Sequence, residues 1–240
     1  MRVLSAQHAL YWAHPRRVPE AFRRVVRARR GNAWCRSVAQ PSPASDRLFI
    51  DHANALDDAR NRVGQSTVRL GGAANLGLLY DVAERVEARR VIETGVAYGW
   101  STLAILLSIA PRSGHLWSID LPYPYGGDRQ PVGVAVPDEL REQWTLIVGS
   151  DRDHVSGAIA EATSGAGTLD LAHYDSDKTP SGMIATCTAL FDALRPGGVL
   201  VVDDVGDHLG FKQLCQRLQV PPLVYDHHGK YQGVIHKTAR

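Results

Sequence analysis

Arg90-Val-Ile-Glu-Thr-Gly-Val-Ala-Tyr-Gly-Trp-Ser-Thr102 decides how this chain folds. Arg90–Thr94 reads as a short buried strand. From Trp100 to Ala110 apolar residues recur at helical spacing, and Pro111 and Gly114 close the segment. Gly95 and Gly99 lie at the turn between them, where the backbone can approach a ligand closely. Amides at the start of the helix point at whatever lies there. A pyrophosphate calls for G-x-G-x-x-G; the spacing here is G-x-x-x-G, with Ala97 where a middle glycine would stand. Glu93 is expected inside the cleft, where a carboxylate repels a pyrophosphate but suits an amino group. The competing reading of the stretch is a tight strand-to-helix connection with no ligand.

Outward from this turn the chain alternates between strand and helix. Leu76, Leu79, Val82, Ala83 and Val86 mark a helix before it. After it come strands at His115–Asp120, Trp144–Gly149, Thr168–Tyr174 and Val199–Asp203, with helices over 152–162, 181–194 and 208–218. The last of these strands is nearly all valine and leucine, as for a strand covered on both faces. Two further strands, 222–226 and 231–236, flank a turn at Gly229 and are expected to pair antiparallel. Five βα units followed by a hairpin predict an α/β protein with a doubly wound, seven-stranded Rossmann-like sheet and a reversed edge strand. Residues 121–136 form a long Gly/Pro-rich loop, expected to belong to an acceptor pocket or lid through Tyr123 and Tyr125.

The 240 residues are 44% hydrophobic and 22% charged, which excludes a disordered chain, and no apolar run is long enough to span a membrane. Cys35, Cys187 and Cys215 are scattered, with no CxxC pair, so neither a disulfide framework nor a structural zinc site is expected. A reducing, cytoplasmic setting fits. The net charge of +2 hides a split: residues 1–36 hold nine arginines and one acid, Glu20, a local charge of +8 that leaves −6 on the remainder. Such an arm can bind nucleic acid or anionic lipid, or pack as a solvated helix against the body or a second subunit. A helix is expected from Pro19 to about Arg30, ended by Gly31 and Asn32, then a linker over 39–45 and a second helix from Asp46 to about Arg62. Residues 1–70 are therefore read as a helical N-terminal appendage that mediates self-association or covers the site, and 71–240 as the main domain. Arginine outnumbers lysine 23 to 4, a GC-rich bacterial coding style that weakens a transit-peptide reading of the arm.

Acidic residues end several of the predicted strands. Asp120 lies 25 residues beyond Gly95, where an acid accepts ribose hydroxyls. Ser150 and Asp151 follow the third strand; Asp151 can equally cap the next helix. His173-Tyr-Asp-Ser-Asp-Lys178 ends the fourth and Val202-Asp203-Asp204 the fifth. Neighbouring strands would bring Asp175, Asp203 and Asp204 together, an arrangement that demands protonation or a cation. Oxygen-only ligands suit Mg²⁺ or another hard divalent ion. The alternative is that these acids are solvated turn residues.

Glu93-Thr-Gly95 with Tyr98, Gly99 and Ser101 resembles the E-x-G-x-x-x-G-x-S motif of small-molecule O-methyltransferases, and the seven-strand pattern resembles the class I S-adenosylmethionine-dependent methyltransferase fold. D-x-x-K after the fourth strand with an acidic pair after the fifth resembles metal-dependent O-methyltransferases of the catechol and caffeoyl-CoA type. D-x-D with D-D-x-G also resembles the macrocin-type sugar O-methyltransferases. Asp204 stands where the catechol type has asparagine, which favours the macrocin-like group. The resemblance covers about residues 72–237. It implies S-adenosylmethionine held by Glu93, Gly95, Tyr98, Gly99, Ser101, Asp120, Ser150, Asp151 and Asp175. It also implies Mg²⁺ on Asp175, Asp203 and Asp204, and either Lys178 or Asp177 as the base. The acceptor implied is a small hydroxylated molecule, a vicinal diol or catechol, such as a natural-product sugar or polyketide. Two other enzyme readings compete. Tyr174 and Lys178 spell the Y-x-x-x-K of short-chain dehydrogenases, but that motif needs one helix face and Tyr174 ends a strand. A nucleic-acid amino-methyltransferase would show N/D-P-P-Y after the fourth strand, where this chain has YDSD; Asp120-Leu-Pro-Tyr123 follows the wrong strand. A third reading, a non-catalytic binding module, is opposed by the intact acid cluster. His173 and His208 are read as packed or solvated residues.

Overall fold

The computed structural model describes residues 18–122, 132–164 and 167–238. Tyr123 and Tyr125 lie outside them, as do Arg2, Arg16 and Arg17. In chain order the elements are α1 (Val18–Val38), β1 (Gln40–Pro41), α2 (Arg47–Asp51), α3 (Ala53–Gly64), α4 (Leu76–Arg85), β2 (Arg90–Thr94), α5 (Trp100–Ile109) and β3 (His115–Asp120). They continue with β4 (Trp144–Val148), α6 (Asp151–Ala162), β5 (Leu169–Tyr174), α7 (Pro180–Ala193), β6 (Leu194–Val202), α8 (Gly210–Leu218), β7 (Leu223–His227) and β8 (Lys230–His236). No helix among the described residues is long and apolar enough to cross a membrane.

The sheet order is β1-β7-β8-β6-β5-β2-β3-β4. Strands β6, β5, β2, β3 and β4 are mutually parallel, and β8 runs against both β6 and β7. Two expectations are revised. The reversed strand is not at the edge; the hairpin folds back so that β8 sits between β6 and β7. The sheet also has eight strands, because Gln40–Pro41, in the expected linker, pairs parallel with Tyr225–Asp226.

Alternation along the central strands fills two cores. Val91, Leu171, Val199 and Val201 face one side with α4 and α5. Ile92, Ala172, Leu200 and Val202 face the other with α6, α7 and α8. Burial on both faces explains the unbroken apolar run Val199–Val202 in β6. Helices α2 and α3 cover α4 and α5 through Leu48, Leu56, Ala59, Tyr80 and Leu103.

Helix α1 does not end at Gly31 and Asn32 but runs to Val38. Gly31 is there for close approach: a Cβ built on it would lie 2.4 Å from Gly206 O and 2.7 Å from His208 N. The glycine lets α1 settle on the loop that follows β6.

Candidate active site

A cleft of about 1180 Å³ opens at the carboxyl ends of the parallel strands, the place where open α/β sheets bind ligands. Gly95, Tyr98, Ser101, Asp120, Ser150 and Asp151 line one part of it, and Asp175, Asp177, Lys178, Asp203 and Asp204 another.

The glycine turn is built from left-handed residues: Gly95 (φ 83), Ala97 (φ 49) and Gly99 (φ 86). Gly95 is required by crowding as well as by φ, because a Cβ there would lie 2.2 Å from Asp175 O. A Cβ on Gly99 would lie 2.9 Å from Gly133 Cα. Asp120 holds the turn in shape: its Oδ2 accepts from the amides of Val96 (3.0 Å) and Ala97 (2.8 Å), and its Oδ1 from Leu121 (2.8 Å). Burial raises the Asp120 carboxyl above its ordinary range, against the pull of those amides. The Tyr98 hydroxyl donates to Val68 O (2.6 Å) and accepts from Leu70 N (3.1 Å), tying the segment before α4 to the cleft, where Gly71 and Gly72 join the lining. Ser150 caps α6 by accepting from Asp153 N, and Asp151 accepts a hydrogen bond from Ser176.

Glu93 departs from its expected place. It is fully buried and does not line the cleft. Its Oε2 accepts from Thr102 Oγ1 (2.6 Å) and Ser118 Oγ (2.9 Å), and its Oε1 faces His173 Nδ1 at 3.2 Å. The cause is strand register: Glu93 and His173 are partners across β2 and β5, so their side chains leave the sheet on the same face and meet inside it. His173 also faces Asp203 Oδ2 at 3.5 Å. Burial disfavours its charge, but the carboxylates of Asp203 and Glu93 outweigh this and push it up to about 10.

At the acid end, Lys178 bridges Asp175 and Asp204, 3.0 Å from Asp204 Oδ2. Burial alone would lower the Lys178 ammonium, but the two carboxylates hold it well above the usual lysine range. Burial and the neighbouring Asp203 raise Asp175 to about 6. Asp177 is engaged with its own turn: its carboxylate accepts from Thr179 N (2.9 Å) and Thr179 Oγ1 (3.0 Å). Tyr174 is buried with its hydroxyl on Asp177 O, 2.5 Å away, so Tyr174 and Lys178 do not form a dehydrogenase pair.

The carboxylates expected to bind Mg²⁺ border the cleft but do not fit a cation as they stand. Asp203 accepts from Gln232 at Oδ1 and turns Oδ2 toward His173. Asp175 and Asp204 share the Lys178 ammonium between them. Among the described residues, no three His, Cys, Asp or Glu side chains are placed to hold a metal ion. The positive charge between Asp175 and Asp204 is that of Lys178.

The sequence reading did not anticipate the hairpin's share of the cleft: His227, Lys230, Tyr231 and Gln232 line it. Nothing in their local sequence marks them. They reach the cleft because β8 inserts beside β6, a placement that only the assembled sheet shows.

Residues 92–205, from β2 to just past β6, match the family model described as a methyltransferase domain. In the mouse protein called catechol O-methyltransferase domain-containing protein 1, 133 residues are 28% identical, covering 52% of this chain and 45% of that protein, so the chain matches less than half of this relative's length. Among solved structures, the O-methyltransferase TomG of Streptomyces achromogenes, involved in tomaymycin synthesis and solved with S-adenosylmethionine, superposes with a TM-score of 0.56. It is 20% identical over 77% of this chain and 90% of its own. An O-methyltransferase from Bacillus cereus, solved with S-adenosylhomocysteine, gives 0.58 at 16% identity over 79% and 94%. The chain shares the fold of these enzymes.

Proposed function

We propose that the protein transfers a methyl group from S-adenosylmethionine to a hydroxyl of a small acceptor bearing adjacent oxygens, a catechol or vicinal diol. The observation that carries this reading is one cleft with the Gly95–Gly99 turn and Asp120 on one side and the Asp175–Lys178–Asp204 cluster on the other. The methyltransferase-domain match and the O-methyltransferase names among the relatives support it.

In this reaction the acceptor oxygen attacks the methyl carbon, the carbon–sulfur bond breaks, and neutral S-adenosylhomocysteine leaves. Much of the acceleration comes from holding oxygen, carbon and sulfur in line. Lys178, held cationic by Asp175 and Asp204, is a hydrogen-bond donor to the acceptor oxygens and stabilises charge that develops there. It is not a proton acceptor while both carboxylates hold it. The proton passes to Asp177, a general base worth about 10²–10⁴ in rate.

Calorimetric titration with S-adenosylhomocysteine, with NAD as control, tests the cofactor, and methyl transfer to a catechol and diol panel tests the reaction. Binding of NAD alone would overturn the reading. Asp177→Asn is expected to lower kcat about 10²-fold or more with S-adenosylhomocysteine affinity intact; full activity would remove Asp177 from the role of base. Treatment with EDTA decides the place of Mg²⁺. Undiminished turnover is expected. Loss restored by Mg²⁺ would mean that a cation displaces Lys178 from between Asp175 and Asp204 and frees its amine as the base.

A further inference from the structure

The loop after β6 carries Asp203 and Asp204, and it is clamped from two sides. From β8, Tyr231 O accepts from Val205 N at 3.2 Å and Gln232 donates to Asp203. From α1, Asn32 Nδ2 donates to Gly206 O at 2.9 Å, and the buried Cys35 Sγ lies 3.6 Å from Val205 O. The same Asn32 nitrogen bonds Ala28 O one turn back at 2.9 Å, which fixes the side chain on its helix. Gly31 lets the helix backbone press against Gly206 and His208. Farther along, Trp34 packs on Phe211 of α8, with ring centroids 6.4 Å apart.

The loop needs such support. Asp204 takes a left-handed backbone, φ 53, which for a residue with a Cβ costs about 1–2 kcal/mol. Such conformations persist only where the surroundings over-determine them. Here the restraint comes from opposite ends of the chain, Asn32 and Tyr231, which meet on consecutive residues of one loop.

We propose that Asn32 is a positioning residue for methyl transfer: through Gly206 O, α1 sets the Asp203–Asp204 loop and with it the carboxylate that holds Lys178. The proposal rests on the functional reading above. The Arg-rich helix is on this account a strut of the active site, and its contact face is the one bearing Gly31, Asn32 and Cys35.

The test uses the full-length protein. Asn32→Leu keeps the shape of the side chain and removes the donor; Gly31→Ala wedges the helix off the loop. Both are expected to lower kcat about tenfold or more, since small misplacements of reacting groups are costly, with S-adenosylhomocysteine affinity within twofold of the parent. Trp34→Ala, which removes the ring contact with Phe211 and keeps the Asn32–Gly206 hydrogen bond, is expected to lower Tm and leave kcat unchanged. Hydrogen exchange at the amides of Val205–Asp207 supplies a readout that needs no acceptor: it should quicken in Asn32→Leu, while exchange in the Gly95–Gly99 turn stays the same. Unchanged exchange and an unchanged kcat in Asn32→Leu would overturn the proposal, as would a kcat that falls only in step with Tm and cofactor affinity. Quickened exchange in a protein whose parent methylates none of the acceptors would leave the strut standing and sink the functional reading instead.

Discussion

Ala97 holds a left-handed backbone (φ 49) at the point where a pyrophosphate-binding turn would carry glycine. That conformation costs a residue with a Cβ about 1–2 kcal/mol, and glycine returns part of the gain through its greater unfolded-state entropy. Ala97→Gly is therefore expected to stabilise the protein by up to about 1 kcal/mol in urea denaturation. Lower stability would show that the Ala97 methyl makes packing that outweighs the strain. At Gly95 the sign reverses. A Cβ there combines φ 83 with a clash against Asp175 O, so Gly95→Ala should destabilise by about 2 kcal/mol or more and weaken cofactor binding. The residue types of this turn were legible in the sequence, and so was its place between strand and helix. Glu93 was not. Its motif position is as expected, but whether its carboxylate enters the cleft or the interior depends on the register of β2 against β5 and on His173, 80 residues away.

Strands were the most readable elements. Arg90–Thr94 and His115–Asp120 coincide with β2 and β3 because short segments with apolar residues at their centres, bounded by turn residues, admit few alternatives. β6 begins at Leu194, five residues before the expected Val199, because Arg-Pro-Gly-Gly there continues into the strand and does not separate it from the helix. Arg195 within this stretch pairs through Nε with Asp170 Oδ1 at 2.7 Å at the start of β5, and the amides of Arg89 and Arg90 donate to Asp170 Oδ2, each at 2.9 Å. One buried carboxylate thus joins the beginnings of β2, β5 and β6. Burial opposes its charge, but Arg195 and the two amides prevail and hold it below the ordinary 3.8. The stabilisation is accordingly present above the unfolded value and disappears as pH falls through the lower folded one. Asp170→Asn should cost about 1–3 kcal/mol at neutral pH, the half-exposed arginine limiting the figure. It should also flatten the acid limb of a Tm-against-pH curve below about pH 4. An unaltered acid limb would place the acid sensitivity elsewhere. Helix α1 was misjudged for a related reason: glycine as a helix stop and glycine as a point of close approach look alike until the neighbour is known.

At the scale of the molecule, the expected doubly wound sheet is present, and the N-terminal elements are tied to it at several places. α1 touches the loop after β6, β1 pairs with β7, and from α3 the Arg62 guanidinium donates to Val134 O (3.2 Å) and Ala135 O (2.6 Å). This last contact steadies the described end of the long loop after β3, against which Gly99 packs. Arg62→Met should raise the Kd for S-adenosylhomocysteine severalfold with little change in Tm. Equal affinity would show that residues 132–136 are held without it. Length and composition hinted at an appendage. The ties themselves join residues far apart in sequence, and no local pattern encodes them.

The reversed strand has a further consequence during synthesis on the ribosome. β6 through β4 can pair as soon as they emerge, since each neighbour is already made. β7 cannot join the sheet until β8 has been translated and threaded between it and β6, and β1, with β7 as its only partner among the described residues, waits with it. Gln40 can meet Tyr225 of β7 earlier, but the pair joins the main sheet only once Lys230–His236 has paired with β6. Closing so long a loop is entropically costly and slow. Until then the nascent chain exposes the free edge of β6 to other strands, so the interval before β8 pairs is the one in which a holding chaperone would protect this protein most.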